Sequence, residues 1–164
     1  MALEGSYITV DEADAYAAGE LDSAVWDALT DGQKAAALRQ ATAEIDAVAW
    51  QGDRCDPDQD RAFPRYAGVL PGDNGRRARF AWDFDEDASE AVVPEAVKEA
   101  TYHQAVSIAA GGARRARLAD RHDGVAGQSA GGVSETYGPG PMRALCRRAH
   151  LLLGRYVRRT GRIV

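Results

Sequence analysis

The stretch TDGQKAAALRQATAEIDAVAW, Thr30 to Trp50, decides the fold class. Thr30 followed three residues later by Gln33 is a capping box, in which each side chain satisfies a backbone N–H that the first helical turn leaves unpaired. Leu38, Ala41, Ile45 and Val48 recur at i, i+3, i+7 and i+10, one apolar stripe on a 3.6-residue period. Gly52 lies just past the end. The stretch predicts a long amphipathic helix, and the segments around it extend the helical reading.

Upstream, SYITVDEADAYAAG (Ser6–Gly19) opens with a β-prone run, Tyr7 to Val10. Thr9 and Glu12 then form a second capping box, predicting a short helix to about Ala18 that Gly19 stops. DSAVWDAL (Asp22–Leu29) reads as one or two helical turns, with Trp26 available to plug a core. Downstream, VVPEAVKEATYHQAVSIAAGG (Val92–Gly112) is the second strong helix, with Pro94 at its first position, Glu95 near its positive end and Gly111-Gly112 ending it. Val97, Thr101, Ala105 and Ile108 mark its buried face, and Ala100 and Ala109 are small enough for close packing.

Between these helices, residues 53–92 hold prolines, glycines and dense mixed charge, and read as a long irregular loop with one short strand near Arg79 to Trp82. Glycines also punctuate residues 123–138, which read as a β-hairpin turning near Ser129 to Gly132, or as a glycine-rich loop. In the last segment, Pro141 starts a helix on which Met142, Leu145, Ala149, Leu152 and Tyr156 share one face. Gly154 weakens that helix, Thr160-Gly161 ends it, and an extended tail follows. The organisation expected is a mainly α protein: a helical domain over 1–154, made of a small bundle with one hairpin or glycine-rich loop, and a basic tail over 155–164.

The charge is segregated. The 164 residues carry a formal net charge of −5. Residues 1–60 hold 3 basic and 14 acidic side chains, and residues 61–164 hold 17 and 11. The last 24 residues contain seven arginines and no aspartate or glutamate. Such polarity hints at two faces with different partners. The N-terminus lacks the basic and apolar regions of a secretory signal, and no apolar run approaches the roughly 18 residues of a membrane span, so neither is expected.

Signatures of catalysis are missing. Cys55 and Cys146 have no C-x-x-C spacing and read as reduced thiols. His103, His122 and His150 have no metal-ligand partner at i+4 and read as surface or packing residues. Asp56, Asp58 and Asp60 mimic the start of a calcium loop, but Arg61 stands where glycine is needed and Ala67 where glutamate is needed. No phosphate-binding glycine loop or nucleophile elbow is present. No enzyme, metal or cofactor is expected.

The order SYITVDEADAYAA, WDALTDGQKAAALRQATAEIDA, FPR, VPEAVKEATYHQAV, GQSAGGVSETYG and a terminal helix resembles the head-tail connector (adaptor) proteins of tailed bacteriophages, of the type grouped as a DnaT-like single-stranded-DNA-binding family. The resemblance runs from Ser6 to about Leu153. The usual Trp-Pro-Arg is Phe63-Pro64-Arg65 here, and Tyr66 to Ala91 is longer and more charged than the pattern. The resemblance implies a structural virion protein at the head-tail joint, assembled in the host cytoplasm. It implies a ring, usually twelvefold, whose partners are the portal protein, neighbouring copies, a tail-side connector or stopper, and double-stranded DNA passing through the channel, with no membrane. The basic end then reads as a portal-docking arm formed by Leu152, Arg155, Tyr156, Val157, Arg158, Arg159, Arg162, Ile163 and Val164, removable without loss of the fold. A DNA contact and an idle solvated tail are the competing readings of that arm. The alternative function is a single-stranded-DNA-binding protein of replication or recombination. It rests on Arg76, Arg77, Arg79 and Trp82, where arginines flank an aromatic side chain able to stack on a base; a tail-side contact is the other reading of these four.

Overall fold

The computed structural model describes residues 5–71, 77–81, 84–85, 90–111, 127–130, 133–136 and 145–157. In chain order these form α1 (Val10–Ala18), α2 (Ala24–Asp27), α3 (Asp31–Asp46), β1 (Asp53–Arg54), β2 (Arg65–Pro71), β3 (Arg77–Ala81), β4 (Phe84–Asp85), β5 (Glu90–Ala91), α4 (Glu95–Ala109), β6 (Gly127–Ala130), β7 (Val133–Thr136) and α5 (Arg147–Leu153). The architecture is mainly α, with small antiparallel strand pairings.

Local chemistry places the first helices where the sequence puts them. Thr9 Oγ1 accepts from the Glu12 N–H at 3.1 Å, and a Glu12 carboxylate oxygen accepts from the Thr9 N–H at 2.7 Å. At α3 the Thr30 N–H donates to Gln33 at 2.9 Å, and the Gln33 N–H donates back at 3.4 Å. Trp26 is fully buried, and its indole N–H donates to Asp14 at 2.6 Å. Lys34 donates to the same oxygen at 2.8 Å, so one carboxylate ties α1, α2 and α3 together. The run Tyr7–Val10 forms no strand. The Tyr7 N–H instead bonds Thr42 Oγ1 at 3.2 Å, and Tyr7 and Ile8 enter two different cores.

Helix α4 lies between those cores. Val97 and Ala100 join Tyr7, Ile45, Phe63 and Tyr156 in the first, and Tyr102 and Ala105 join Ile8, Trp26 and Leu38 in the second. The helix is therefore buried on more than the single face its periodicity marks. Tyr102, His103 and Gln104 are buried as well, while Ile108 is only partly so. Gln104 meets the cost of burial by donating to Glu44 of α3 and accepting from the Cys146 N–H at 2.7 Å. Pro94 is the N-cap, so the helix begins at Glu95, one position after the expected start, and Gly111 follows the helix with φ +56°, the left-handed conformation glycine favours there.

The first core is organised around Phe63. Its ring makes edge contacts with Trp50 at 5.1 Å, Tyr156 at 5.7 Å and Tyr7 at 6.1 Å between centroids. The Phe63–Pro64 peptide is cis.

The stretch 53–92, read from the sequence as a loop with one strand, contains five strands among its described residues. β1, β2 and β3 form an antiparallel sheet in that order, with an irregularity between Tyr66 and Gly68, and β4 pairs with β5. The expected strand near Arg79 falls on β3. β6 and β7 pair antiparallel, with Ala130 opposite Val133. Helix α5 is shorter than its apolar stripe suggests: Cys146 is its N-cap, and Gly154 ends it. Pro141 and Met142 lie outside the described residues. Cys55 and Cys146 are free thiols.

His103 is 9% exposed, and its Nε2 has no hydrogen-bond partner among the described residues. It lies 3.5 Å from Glu99 and 3.8 Å from Glu20, too far for good bonds to either, and Arg148 of α5 is the third charged group facing it. Burial, then the Arg148 charge, depresses its pKa below the ordinary 6.5, against the pull of the two glutamates.

Two outcomes follow from this packing. Phe63→Ala should lower the unfolding free energy by about 3–5 kcal/mol in chemical denaturation. Leu151→Ala, at a 69% exposed position, should change it by no more than about 0.5 kcal/mol. A histidine with a depressed folded pKa contributes stability that is complete above its unfolded value and lost as pH falls through the folded one. The thermal midpoint should therefore fall as pH drops below about 6.5, and His103→Gln should flatten that part of the profile.

Candidate nucleic-acid interface

The sheet β1–β2–β3 gathers arginines that lie far apart in sequence. Arg54 of β1 stands opposite Arg65 of β2, while Arg79 and Arg77 of β3 stand opposite Val69 and Pro71. Like charges facing each other across a strand pair destabilise a sheet unless something else holds them. Arg65 is held: its guanidinium donates to the carbonyls of Gln51 at 2.9 Å, Ala62 at 3.2 Å and Gly52. Gly52 reaches this clamp through a φ of +71°. Burial, and next the Arg54 charge, lowers the Arg65 pKa. Arg54 is exposed and, among the described residues, makes one bond, at 3.3 Å, to the Gln59 carbonyl. Arg65 is thus a structural arginine, and Arg54 carries charge toward solvent. Tyr66, half-buried on β2, pairs in register with Asp53 and Ala81, and Phe80 stands opposite Gly68.

Of the four residues singled out in the sequence for DNA or tail-side contact, Arg77 and Arg79 lie on β3, at alternate positions of one strand. Arg76 and Trp82 lie outside the described residues. Trp26 and Trp50 are buried and unavailable for stacking on a base. Arg54 was missed because a two-residue strand leaves no periodic signal. Arg65 was visible only as part of Phe-Pro-Arg.

The C-terminal segment is placed differently from a free arm. Tyr156 is fully buried against Phe63, and Leu152 and Val157 pack partly buried on the same core. Val157 forms a β-bridge with Trp50. The Gln51 N–H donates to the Tyr156 carbonyl, and the Gln51 side chain to the Val157 carbonyl, both at 2.8 Å. Arg155 is exposed, with its guanidinium carbon 4.6 Å from the Tyr156 ring centre. The stripe that suggested docking onto another protein is used within this one. Arg158, Arg159, Arg162, Ile163 and Val164 lie outside the described residues.

Other features offer less. A shallow pocket of about 310 Å³ between α1 and α4 is lined by Glu12, Ala15, Tyr16, Glu95 and Lys98. Its two carboxylates against one ammonium suit no phosphate. Among the described residues no group of three His, Cys, Asp or Glu side chains could hold a metal ion, and no helix is long and apolar enough to cross a membrane.

A mainly helical protein with arginines collected on a small sheet belongs, by this geometry, among candidate nucleic-acid binders. The family described as "Putative DnaT-like ssDNA binding protein" matches residues 3–164, and the chain belongs to that family. No curated protein and no solved structure matches it. The family match corrects the expectation of a virion connector. Its description names single-stranded DNA, so a portal-bound ring, with portal protein, tail-side connector and duplex DNA in a channel as partners, gives way to the alternative reading.

A chain ending at Gly154 loses Tyr156 and Val157. It should be destabilised by at least as much as Tyr156→Ala, about 3–5 kcal/mol by the usual cost of emptying a buried aromatic site. Parallel denaturant titrations of the two variants check this.

Proposed function

We propose that this protein binds single-stranded DNA through the sheet β1–β2–β3 and acts in replication or recombination. Membership of the DnaT-like family over residues 3–164 is the observation that carries the reading. The sheet supports it chemically. Non-sequence-specific single-strand binders combine cationic side chains that track the phosphates with aromatic rings on which bases stack. Arg77 and Arg79, at alternate positions of β3, supply the first, and Tyr66, in register with Ala81 at the next alternate position, is the aromatic residue in line with them. The uneven charge of the chain fits this reading, because the acidic excess falls in residues 1–60 and the basic excess beyond them.

Fluorescence anisotropy with a labelled oligo-dT tests the proposal. Binding should be strong at about 50 mM salt and weaken steeply by about 200 mM, with log K falling by roughly 0.7 per phosphate contact for each unit of log salt. The double variant Arg77→Ala, Arg79→Ala should bind more weakly and lower that slope by about 1–2. No binding at the lower salt, or equal competition by a duplex of the same length, would overturn it.

A further inference from the structure

A second cluster of positive charge lies away from β3 and rests on the same reading of the protein. Gly5 has φ +90°, and a Cβ built on it would meet Arg61 Nη2 at 2.9 Å and Arg39 Cδ at 3.5 Å. Arg39 comes from the exposed side of α3, and Arg61 from the segment leading into β2. Two guanidinium-bearing side chains thus converge on one turn of backbone that only glycine leaves open.

The counter-charge there is thin. Arg61 Nη1 lies 3.4 Å from Asp46 Oδ2, a long contact, while Asp46 Oδ1 already accepts from Tyr7 and from the Ala62 N–H. No ion pair or hydrogen bond to Arg39 occurs among the described residues. Converging cationic side chains gain from an anion between them, and guanidinium forks match phosphate oxygens well.

We infer that Arg39 and Arg61, converging over Gly5, form a phosphate contact that takes one phosphodiester of a bound single strand. Arg61 precedes the first residue of β2 by four positions, so this contact adjoins the Arg54–Arg65 end of the sheet. A strand passing the Arg54 edge of the sheet would reach it in continuation. The occupant is recognised as a phosphate group, and inorganic phosphate shares that chemistry without the polymer.

The test uses the full chain and the Arg39→Gln variant, whose substitution lies on an exposed helix position. Oligo-dT binding is followed by anisotropy across salt, and the Gly5 amide is followed by NMR during titration with oligo-dT and, separately, with inorganic phosphate. The expected result is several-fold weaker DNA binding by the variant, a salt slope lower by about 0.7, and a Gly5 shift in the wild type that the variant lacks. Unchanged affinity and slope in the variant, with the Gly5 amide unmoved, overturns this contact and leaves single-strand binding standing. A wild type that ignores oligo-dT, yet shows an Arg39-dependent Gly5 shift with phosphate, supports the anion site and overturns the single-strand reading. Silence toward both ligands overturns both.

Discussion

The Asp46 carboxylate is the constraint on which the rest of the structure depends. It stands in the last turn of α3, where the helix dipole disfavours negative charge, and it is kept there by donors. The Tyr7 hydroxyl and the Ala62 N–H share one oxygen, and Arg61 approaches the other. The Tyr7 oxygen in turn accepts from the Phe63 N–H at 3.1 Å. Burial first, then the bond to Asp46 and its charge, push the Tyr7 hydroxyl well above the ordinary tyrosine range, so it stays a donor at every physiological pH. Hydrogen bonds to a charged acceptor are worth about 1.5–3 kcal/mol each. Together they fix the N-terminal segment and residues 61–63 on α3, and Phe63 then brings Trp50 and Tyr156 into contact. β2 begins two residues later, so the sheet inherits its position from this joint.

What could be read from the sequence divides along the same line. Both capping boxes and the burial of Trp26, Leu38, Ala41 and Ile45 were legible, because a cap or an apolar stripe is written within a dozen residues. Of the strands of 53–92, only β3 was legible. Their pairing joins Arg54 to Arg65 and Tyr66 to Ala81, and no local pattern encodes a partner, least of all in charged segments broken by proline and glycine. Helix α4 shows a subtler limit. A stripe reading assumes one buried face, whereas a helix between two cores buries Tyr102, His103 and Gln104 beside Val97 and Ala105.

The terminal segment shows why a correct pattern can lead to a wrong partner. Leu145, Ala149, Leu152 and Tyr156 do lie against apolar surroundings, as their spacing requires. Periodicity states that a face needs covering and is silent on whether the cover belongs to the same chain. The decisive contacts, Gln51 to the Tyr156 and Val157 carbonyls, cross more than a hundred residues of sequence. A candidate interface suffers similarly: Arg65 looks as available as Arg54 in the sequence, and only the three carbonyls around it show that its donors are committed.

That sorting of arginines bears on how an acidic protein can hold a nucleic acid at all. With a net charge of −5, long-range steering toward a polyanion is absent or opposed. At physiological ionic strength, however, the Debye length is about 8 Å, so the acidic excess of residues 1–60 is largely screened at greater distances. Interactions within that distance decide affinity instead. Strand pairing sets the backbone of Arg54 and Arg79 in the sheet, and Arg39 and Arg61 meet over the Gly5 turn. A phosphate that bridges two such side chains would relieve their mutual repulsion at the cost of ordering them, so the gain is greatest where the backbone already brings them together.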